Sequence, residues 1–331
     1  MSLAHANISI FVPHLGCPNM CSFCNQHHIA RTSSVPTADD IHSAVKTAVN
    51  SKNYCPGNTE LAFFGGSFTA IDREYMLLLL ESAKKHIDSG DVCGIRISTR
   101  PDAIDEEILS VLKKYGVTSI ELGAQSMCDR VLSLNDRGHT ENDVVVASQL
   151  IKNSGFSLGL QMMTGLYGSN ALLDIATAQK IINLKPDCVR IYPTITLEGT
   201  KLETLYRSGE YFPPSLDETV DLCVTLNDMF LDANIPVIRL GLHTIDENSY
   251  IAGPWHPAFK ELCDSKKYRN IISSKIEEKG IYTVFVSHGE LSKVIGQKKE
   301  NILFFKEMGI DIKFKEDFSL KKYDVLVKGC E

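Results

Sequence analysis

Six short runs rich in β-branched and aromatic residues alternate with longer helical stretches between residues 8 and 192, and this alternation restricts the fold more than any other feature. The runs read I-S-I-F-V from residue 8, L-A-F-F from 61, G-I-R-I-S from 94, S-I-E-L-G from 119, S-L-G-L-Q-M from 157 and C-V-R-I-Y from 188. Strands that alternate with helices are typical of a parallel sheet with crossover helices. The sequence therefore predicts an α/β fold, and six strands of this kind suit a partial (β/α)6 barrel.

The helical stretches carry start signals and apolar faces. Pro36 and Thr37 precede an acidic first turn and the apolar positions Ile41 and Val45, as expected at a helix N-terminus. The apolar run 76–80 predicts a helix face that packs into the core.

Three cysteines, Cys17, Cys21 and Cys24, lie close together with C-x3-C-x2-C spacing. Three thiolates on one loop can hold three irons of a cubane [4Fe-4S] cluster and leave the fourth iron open. A closed zinc site needs four ligands, usually as two C-x2-C pairs, and no second pair follows in the sequence. Zinc remains an alternative if His27 or His28 completes the shell, and so do three unconnected buried thiols.

Polar side chains and a glycine pair stand at the predicted strand ends. Gly65 and Gly66 follow the second strand. Gln125, Gln161 and Tyr192 lie at or near the ends of later strands. In parallel α/β barrels the chemistry gathers at the carboxyl ends of the strands. Because the cysteine loop follows the first strand, we expect all of these groups at one mouth of the barrel.

The cysteine loop and the blocks that follow it resemble the radical S-adenosylmethionine (SAM) superfamily. The blocks are I-S-T-R-P-D-A-I, E-L-G-A-Q-S, L-N-D-R-G-H-T, M-M-T-G-L-Y-G and R-I-Y-P-T-I-T-L-E-G-T, in that order. This order is similar to the radical-SAM half of the Elongator catalytic-subunit family and, more distantly, to oxygen-independent coproporphyrinogen oxidases. The resemblance covers roughly residues 8–245 and implies a [4Fe-4S] cluster on the three cysteines.

The resemblance also assigns residues to a SAM site. It implies that Arg137 pairs with the carboxylate of SAM through its planar guanidinium. It implies that Phe23 packs near the adenine and that the bare backbone of Gly65 lets the amino group of SAM approach. The other residues that it assigns to the cofactor are Gly66, Ser67, Ser98, Gln125 and Gln161.

Two of these positions depart from the family pattern. Ser98 stands where relatives often have glutamate, and its hydroxyl carries no charge. Gln161 stands where relatives have aspartate or histidine. Because the Ser98 hydroxyl is uncharged, we expect the amino group of SAM to rely more on the carbonyl of Gly65.

The sequence pattern changes after Gly241 to a segment rich in turn formers, and a small α+β unit follows. We assign residues 1–245 to the radical-SAM barrel, 246–264 to a connector and 265–331 to the small domain.

A glycine-containing segment in the small domain, V-I-G-Q-K-K-E-N-I at residues 294–302, is similar to the V-I-G-x-x-G-x-x-I core of KH domains. KH domains clamp single-stranded RNA against this loop. The resemblance implies RNA contacts at Gly296, Lys298 and Lys299, and Lys299 replaces the second glycine. A solvated helix N-terminus is the alternative.

Composition is that of an ordinary globular enzyme, with 44% hydrophobic and 23% charged residues among 331. No apolar run approaches the ~20 residues of a membrane span, and no signal segment is seen, so we expect a cytoplasmic protein with no membrane partner. Ten cysteines in such a chain indicate reduced thiols and metal ligands.

Charge is unevenly distributed along the chain. From residue 260 onward there are 15 basic residues (Lys and Arg) and 12 acidic ones (Asp and Glu), whereas the rest of the chain has 19 basic and 29 acidic residues. The basic excess predicts an anionic partner for the C-terminal part.

These observations predict a radical SAM enzyme that cleaves SAM reductively at a [4Fe-4S] cluster to form a 5′-deoxyadenosyl radical. We expect SAM and an external electron donor such as flavodoxin or ferredoxin as partners, and RNA, including tRNA, as substrate. One alternative is a radical SAM enzyme that acts on a small metabolite or cofactor. Another is a non-catalytic RNA-binding protein with a structural metal site.

Overall fold

The computed structural model describes residues 5–13, 17, 20–24, 35–242 and 245–329, and its main sheet has seven parallel strands. The strands are β1 (Ala6–Val12), β2 (Thr59–Gly65), β3 (Gly94–Thr99), β4 (Val117–Gln125), β5 (Ser157–Thr164), β6 (Cys188–Pro193) and β8 (Val237–Leu240), while β7 (Thr196–Leu197) pairs separately with β9 (Tyr250–Ala252). Within the main sheet each strand pairs with the preceding strand of that sheet, and β8 therefore pairs with β6. The sheet curls into a partial barrel whose edges are β1 and β8. The predicted α/β partial barrel is confirmed.

Eight helices in the described residues accompany this sheet. They are α1 (Ala38–Val49), α2 (Arg73–Asp88), α3 (Glu106–Lys114), α4 (Asp129–Leu134), α5 (Glu141–Asn153), α6 (Ala171–Leu184), α7 (Lys201–Ser208) and α8 (Leu216–Asp232). The predicted start of α1 is confirmed, because Thr37 and Asp40 form a reciprocal capping box there. In α2, Met76, Leu79 and Leu80 are fully buried, as the apolar run predicts.

The seventh strand differs from the expectation of six. β8 has only four residues, V-I-R-L after Pro236, of which only Leu240 is buried. A segment so short lacks the apolar run by which the other strands were found. It nevertheless pairs in parallel with β6 and extends the sheet beside the mouth of the barrel.

A second, three-stranded sheet lies in the C-terminal part, with the order β11 (Ile310–Asp317), β10 (Gly280–Ser287) and β12 (Val325–Gly329). β10 is parallel to β11 and antiparallel to β12. Three helices accompany this sheet: α9 (Phe259–Ser273), α10 (Leu291–Ile295) and α11 (Glu300–Glu307).

Helix α9 begins six residues before the expected start of the small domain at residue 265. Its first half contributes Phe259 and Cys263 to the core of the barrel. Its second half contributes Tyr268 and Ile272 to the core of the small domain. The same helix is thus part of both cores.

No helix among the described residues combines the length and the apolar character needed to cross a bilayer.

Candidate active site

A cavity of about 690 Å³ opens at the carboxyl ends of the barrel strands. It is lined by the cysteine loop, by the ends of several strands and by the segment that follows β6. The sequence-predicted residues on its wall are Cys17, Cys21, Phe23, Cys24, Gly65, Gly66, Ser67, Ser98, Gln125, Arg137 and Gln161. The structure therefore brings together every residue that the sequence assigns to the cluster and to SAM. His27 and His28, the alternative zinc ligands, lie outside the described residues.

The cysteine loop is fastened to the barrel at Ser22, the residue after the second cysteine. The Ser22 hydroxyl donates to Asn135 Oδ1 at 2.6 Å and its amide donates to the Asn135 carbonyl at 3.2 Å. Asn135 is fully buried, and its own amide donates to the carbonyl of Tyr167 at 2.9 Å. The amide of Leu202 in α7 donates to the Ser22 carbonyl at 2.8 Å. Two separate elements thus hold the loop, and neither Asn135 nor Leu202 was identified from the sequence.

Arg137 reaches from the α4–α5 connection to the cysteine loop. Its Nη1 donates to Cys21 Sγ at 3.0 Å and its Nη2 donates to the Gly123 carbonyl at 2.8 Å. Its Nε is buried without a hydrogen-bond partner in the described structure. The Arg137 guanidinium therefore has one N–H group still able to donate a hydrogen bond at the cavity.

The first cysteine also has a polar neighbour, since Cys17 Sγ lies 3.5 Å from Ser67 Oγ.

Arg100 and His139 hold the segment that carries Arg137. Arg100 is buried, donates to the Arg137 carbonyl at 3.1 Å and pairs with Asp102 at 2.5 Å. His139 lies 3.2 Å from the Ala124 carbonyl, and burial together with the charge of Arg137 lowers its pKa to about 4. The imidazole is therefore neutral at physiological pH, and Arg100 has the structural role that its position after β3 suggests.

Gly65 and Gln125 both have a positive φ, a backbone conformation that residues with a side chain rarely adopt. Gly65 has φ +116°, and a Cβ there would lie 2.6 Å from the Val12 carbonyl oxygen and 2.8 Å from the ring of Phe11. Only glycine fits this close contact between β1 and β2. Gln125 has φ +62° beside a register shift between β4 and β5, and its buried Oε1 has no hydrogen-bond partner in the described structure.

A chain of four buried charges lies inside the barrel below the cavity. Glu121, which is 1% exposed, accepts from Arg190 Nε at 2.6 Å and Nη2 at 2.9 Å and from Arg96 Nη1 at 3.2 Å. Arg96 also pairs with Glu60 at 2.8 Å. Burial acts to raise the pKa of Glu60, but hydrogen bonds from Thr118 and Ser119 and the charge of Arg96 outweigh it and lower that pKa. The four charges sum to zero.

This charge chain orients a residue on the cavity wall. Gln161 Nε2 donates to Glu121 Oε2 at 2.9 Å and lies 3.4 Å from Ser98 Oγ. With its amide nitrogen used in this way, Gln161 keeps its carbonyl oxygen as the group free to accept. Arg190 also lines the cavity, and burial raises the pKa of its neighbour Tyr192.

Arg96, Glu121 and Arg190 were not identified from the sequence. Each is a charged residue within an otherwise apolar strand, in I-R-I-S, I-E-L-G and V-R-I-Y. This pattern predicts a buried ionic partner for each residue, because an unpaired charge is rarely buried in a sheet.

The far wall of the cavity is apolar. It is formed by Ile195, Leu197, Leu242 and Ile245. Trp255 packs against this group, with its ring centroid 5.9 Å from that of Tyr250.

The predicted RNA-binding residues lie elsewhere, in the turn between α10 and α11. Gly296, Lys298 and Lys299 all have positive φ, at 79°, 51° and 64°. Both lysines are exposed, and neither has an ion-pair partner within the described ranges. Gly296 packs closely against α9, since a Cβ there would lie 2.8 Å from Ser265 Oγ.

Two family models match the chain. The radical SAM superfamily matches residues 11–172, and the radical SAM C-terminal domain matches residues 186–269. Over 49% of its length the chain is 33% identical to a tRNA uridine(34) acetyltransferase of Methanocaldococcus jannaschii and 31% identical to Elongator complex protein 3 of Homo sapiens. These alignments cover 34% of either relative, so the chain spans about one third of their length.

Two further matches extend over more of the chain. An uncharacterized protein of Methanocaldococcus jannaschii is 26% identical over 75% of this chain and 74% of its own length. The structure of archaeal Methanocaldococcus infernus Elp3 with an N-terminal deletion has a TM-score of 0.66 and 21% identity over 83% of this chain and 65% of that chain. The latter match shows that the fold is shared.

Proposed function

Because the chain carries a radical SAM domain followed by the radical SAM C-terminal domain, it belongs to the radical SAM superfamily of enzymes, and we propose that it binds a [4Fe-4S] cluster and SAM and acts on RNA. The observation that carries the proposal is the convergence of the three cysteines, the glycine pair and Arg137 on one cavity. Membership of an enzyme superfamily argues against the alternative of a non-catalytic RNA-binding protein.

The cysteine loop suits a cluster. Cys17, Cys21 and Cys24 line the cavity together, and the two anchors at Ser22 hold the backbone between the second and third thiols. Anchoring at Ser22 holds the neighbouring Cys21 and Cys24 at the cavity, as a cubane with one ligand on each of three irons requires. Ser67, next to Cys17, would donate a hydrogen bond to a ligand sulfur.

The cavity also suits SAM. Gln125 Oε1 and Arg137 Nε are buried polar atoms without hydrogen-bond partners in the described structure, and a polar ligand would satisfy both. Gly65 has no side chain at the wall, which permits a ligand to approach its backbone closely. Gln161 would present its carbonyl oxygen to a hydroxyl group, because Glu121 takes its amide nitrogen.

When bound, the cluster and SAM supply a one-electron reductive cleavage that yields methionine and a 5′-deoxyadenosyl radical. An external donor such as flavodoxin or ferredoxin would provide the electron. The chain's own contribution is to bind and orient. Arg137 would hold the carboxylate of SAM, Phe23 would pack against its adenine, and the apolar wall would exclude water from the site.

Reconstitution tests the cofactor assignment. Anaerobic loading with iron and sulfide should give a brown protein that forms 5′-deoxyadenosine from SAM under reduction. Cys17→Ser should abolish both, whereas Cys93→Ser, which changes an exposed thiol, should abolish neither. A fully loaded cluster with no 5′-deoxyadenosine would contradict the proposal.

RNA as the substrate is supported by the tRNA-modifying relatives and by the two lysines of the α10–α11 turn. We expect Lys298→Ala with Lys299→Ala to weaken binding of tRNA and to reduce its salt dependence. Lys275→Ala with Lys306→Ala removes the same charge from other exposed positions of the small domain and serves as the control.

A small metabolite is the second candidate substrate, favoured by the apolar far wall of the cavity. It becomes the better hypothesis if the loaded enzyme binds no tRNA at low salt. Mass spectrometry of tRNA from a deletion strain distinguishes the two, since only an RNA substrate predicts a missing modification.

A further inference from the structure

We propose that the open face of the small domain's sheet is a binding surface for single-stranded RNA. One face of this sheet packs into the domain core through Val284, Val286 and Ile312. The opposite face carries the residues that alternate with these along each strand, such as Thr283 and Phe285. The side chains that the described helices contribute to the core of the small domain pack against the first face. The inference rests on the proposed RNA substrate and adds the surface by which that substrate is held.

The register of the three strands defines this face. In one row Thr283 of the central strand pairs with Lys313 on one side and Lys328 on the other. In the next row Phe285 pairs with Lys315 and Leu326. Residues that pair directly across strands lie on the same face. We call this set the sheet platform: Thr283, Phe285, Lys313, Lys315, Leu326 and Lys328.

The sheet platform carries an excess of positive charge. Lys313, Lys315 and Lys328 are exposed, and none has an ion-pair partner in the described part of the chain. The carboxylates on this face stand at the two ends of β11. Asp317 accepts hydrogen bonds from the Ser319 hydroxyl at 2.6 Å and amide at 2.9 Å, and these bonds together with the charge of Lys328 lower its pKa. Asp311 stands at the other end of the strand, opposite Ile281 in the register. Three cations therefore surround the middle of the face.

The platform also offers an aromatic surface. Phe285 in the central strand is partly exposed, and Lys328 Nζ lies over its ring, 5.2 Å from the centroid, in a cation–π contact that a stacked base would replace. Leu326 beside it is 43% exposed and Ile281 further along the strand is 51% exposed. In its own row the ring has Lys315 on one side and Leu326 on the other, while Lys313 and Lys328 flank Thr283 in the neighbouring row, on outer strands roughly 10 Å apart. An aromatic ring with three cations around it matches the unstacked bases and phosphates of single-stranded nucleic acid.

A second copy of this chain is a poorer occupant. In a two-fold dimer the face would meet itself, and the three lysines of one copy would oppose those of the other. Like charges that face each other in this way are destabilising. A strand of phosphates instead neutralises them and releases counterions.

Fluorescence anisotropy with a labelled single-stranded oligouridylate tests the proposal on the full chain. The triple variant Lys313→Ala, Lys315→Ala, Lys328→Ala should weaken binding and lower the slope of log affinity against log salt by about 2, because each phosphate that a lysine no longer neutralises removes about 0.7 from the slope. Phe285→Leu keeps an apolar side chain and should cost roughly tenfold in affinity, since the base can no longer stack on a ring. Duplex RNA should bind more weakly than the single strand, because its bases cannot reach the ring.

The control replaces Lys275, Lys306 and Lys321 by alanine, which removes three exposed charges from other parts of the same domain. It should leave the affinity and the salt slope near those of the unmodified protein. Far-UV circular dichroism and formation of 5′-deoxyadenosine should be unchanged in both triple variants.

The outcomes separate this proposal from the proposed function. If the unmodified protein binds RNA and the platform variants bind equally well, the sheet platform is wrong while the RNA substrate stands. If the platform variants bind RNA normally but shift a dimer to monomer in sedimentation, the face is a contact between copies and the proposal is overturned. If the unmodified protein binds no RNA at low salt, the RNA substrate fails and the platform fails with it.

Discussion

Replacing Glu121 by Gln should destabilise the barrel more than any other single exchange of a carboxylate for an amide. Glu121 accepts three hydrogen bonds from two arginines and one from Gln161. The four buried charges sum to zero, so Glu121→Gln leaves one positive charge uncompensated inside the barrel. Breaking a buried pair in this way costs about 3–5 kcal/mol, a large part of the 5–15 kcal/mol that holds a typical domain.

A double-mutant cycle measured by urea unfolding isolates this charge effect. Arg190→Met alone leaves an excess negative charge and should cost a similar amount. The double variant restores neutrality with Glu60 and Arg96 as the remaining pair, so its cost should be well below the sum of the two single costs. Costs that add to within about 0.5 kcal/mol would refute the reasoning.

An exposed pair provides the matched control. Arg73 and Glu107 form an ion pair whose side chains are 45% and 67% exposed. Glu107→Gln should lower the free energy of unfolding by at most about 1 kcal/mol, because water screens such a pair. The same substitution thus differs several-fold in effect between the two sites.

Three further outcomes follow from the site. Gly65→Ala should lower the free energy of unfolding by at least about 1–3 kcal/mol, through its positive φ and the close contact of the added Cβ with the Val12 carbonyl oxygen. Gly57→Ala, with nothing within 4 Å of the added Cβ, should change it by no more than about 0.5 kcal/mol. Arg137→Lys should weaken SAM binding in equilibrium dialysis roughly 10- to 100-fold, and the exposed Arg130→Lys should not; equal affinities would contradict the assigned role. The pKa of His139 falls from about 6.5 unfolded to about 4 folded, so the folded state binds fewer protons and loses stability as pH falls through that window, by roughly 3 kcal/mol in total. His139→Asn should remove this pH dependence, and a stability difference from the unmodified protein that is constant between pH 7 and pH 4 would show the reasoning to be wrong.

The sequence reveals the barrel strands and the residues at their ends because both signals are local. Apolar runs mark buried parallel strands, and the strand ends of such a sheet share one edge. Gly65 and Gln125 could therefore be placed at one mouth from the sequence pattern, whereas Arg137, which follows a helix, is assigned to the site only by the family resemblance. Their assigned roles toward SAM remain predictions.

The supporting residues could not be predicted because they depend on contacts between distant segments. Asn135 holds Ser22 across more than a hundred residues. Glu121 of β4 meets Arg96 of the adjacent β3 and, across the intervening β5, Arg190 of β6 only because the sheet places these strands close together. A charged residue in an apolar strand signals that a partner exists, but only the tertiary fold identifies it. The sheet platform is hidden for the same reason, since its lysines come from two strands that flank a third.

Helix α9 makes the boundary between the two domains a poor place to divide the chain. A cut at residue 265 would pass through the helix and separate Phe259 and Cys263 from Tyr268 and Ile272. Each fragment would then expose core side chains that the missing half of the helix had packed against. The small domain is therefore not a detachable module that can be transplanted or deleted at that position. A chimera that exchanges it needs its junction before residue 259, so that the helix travels whole.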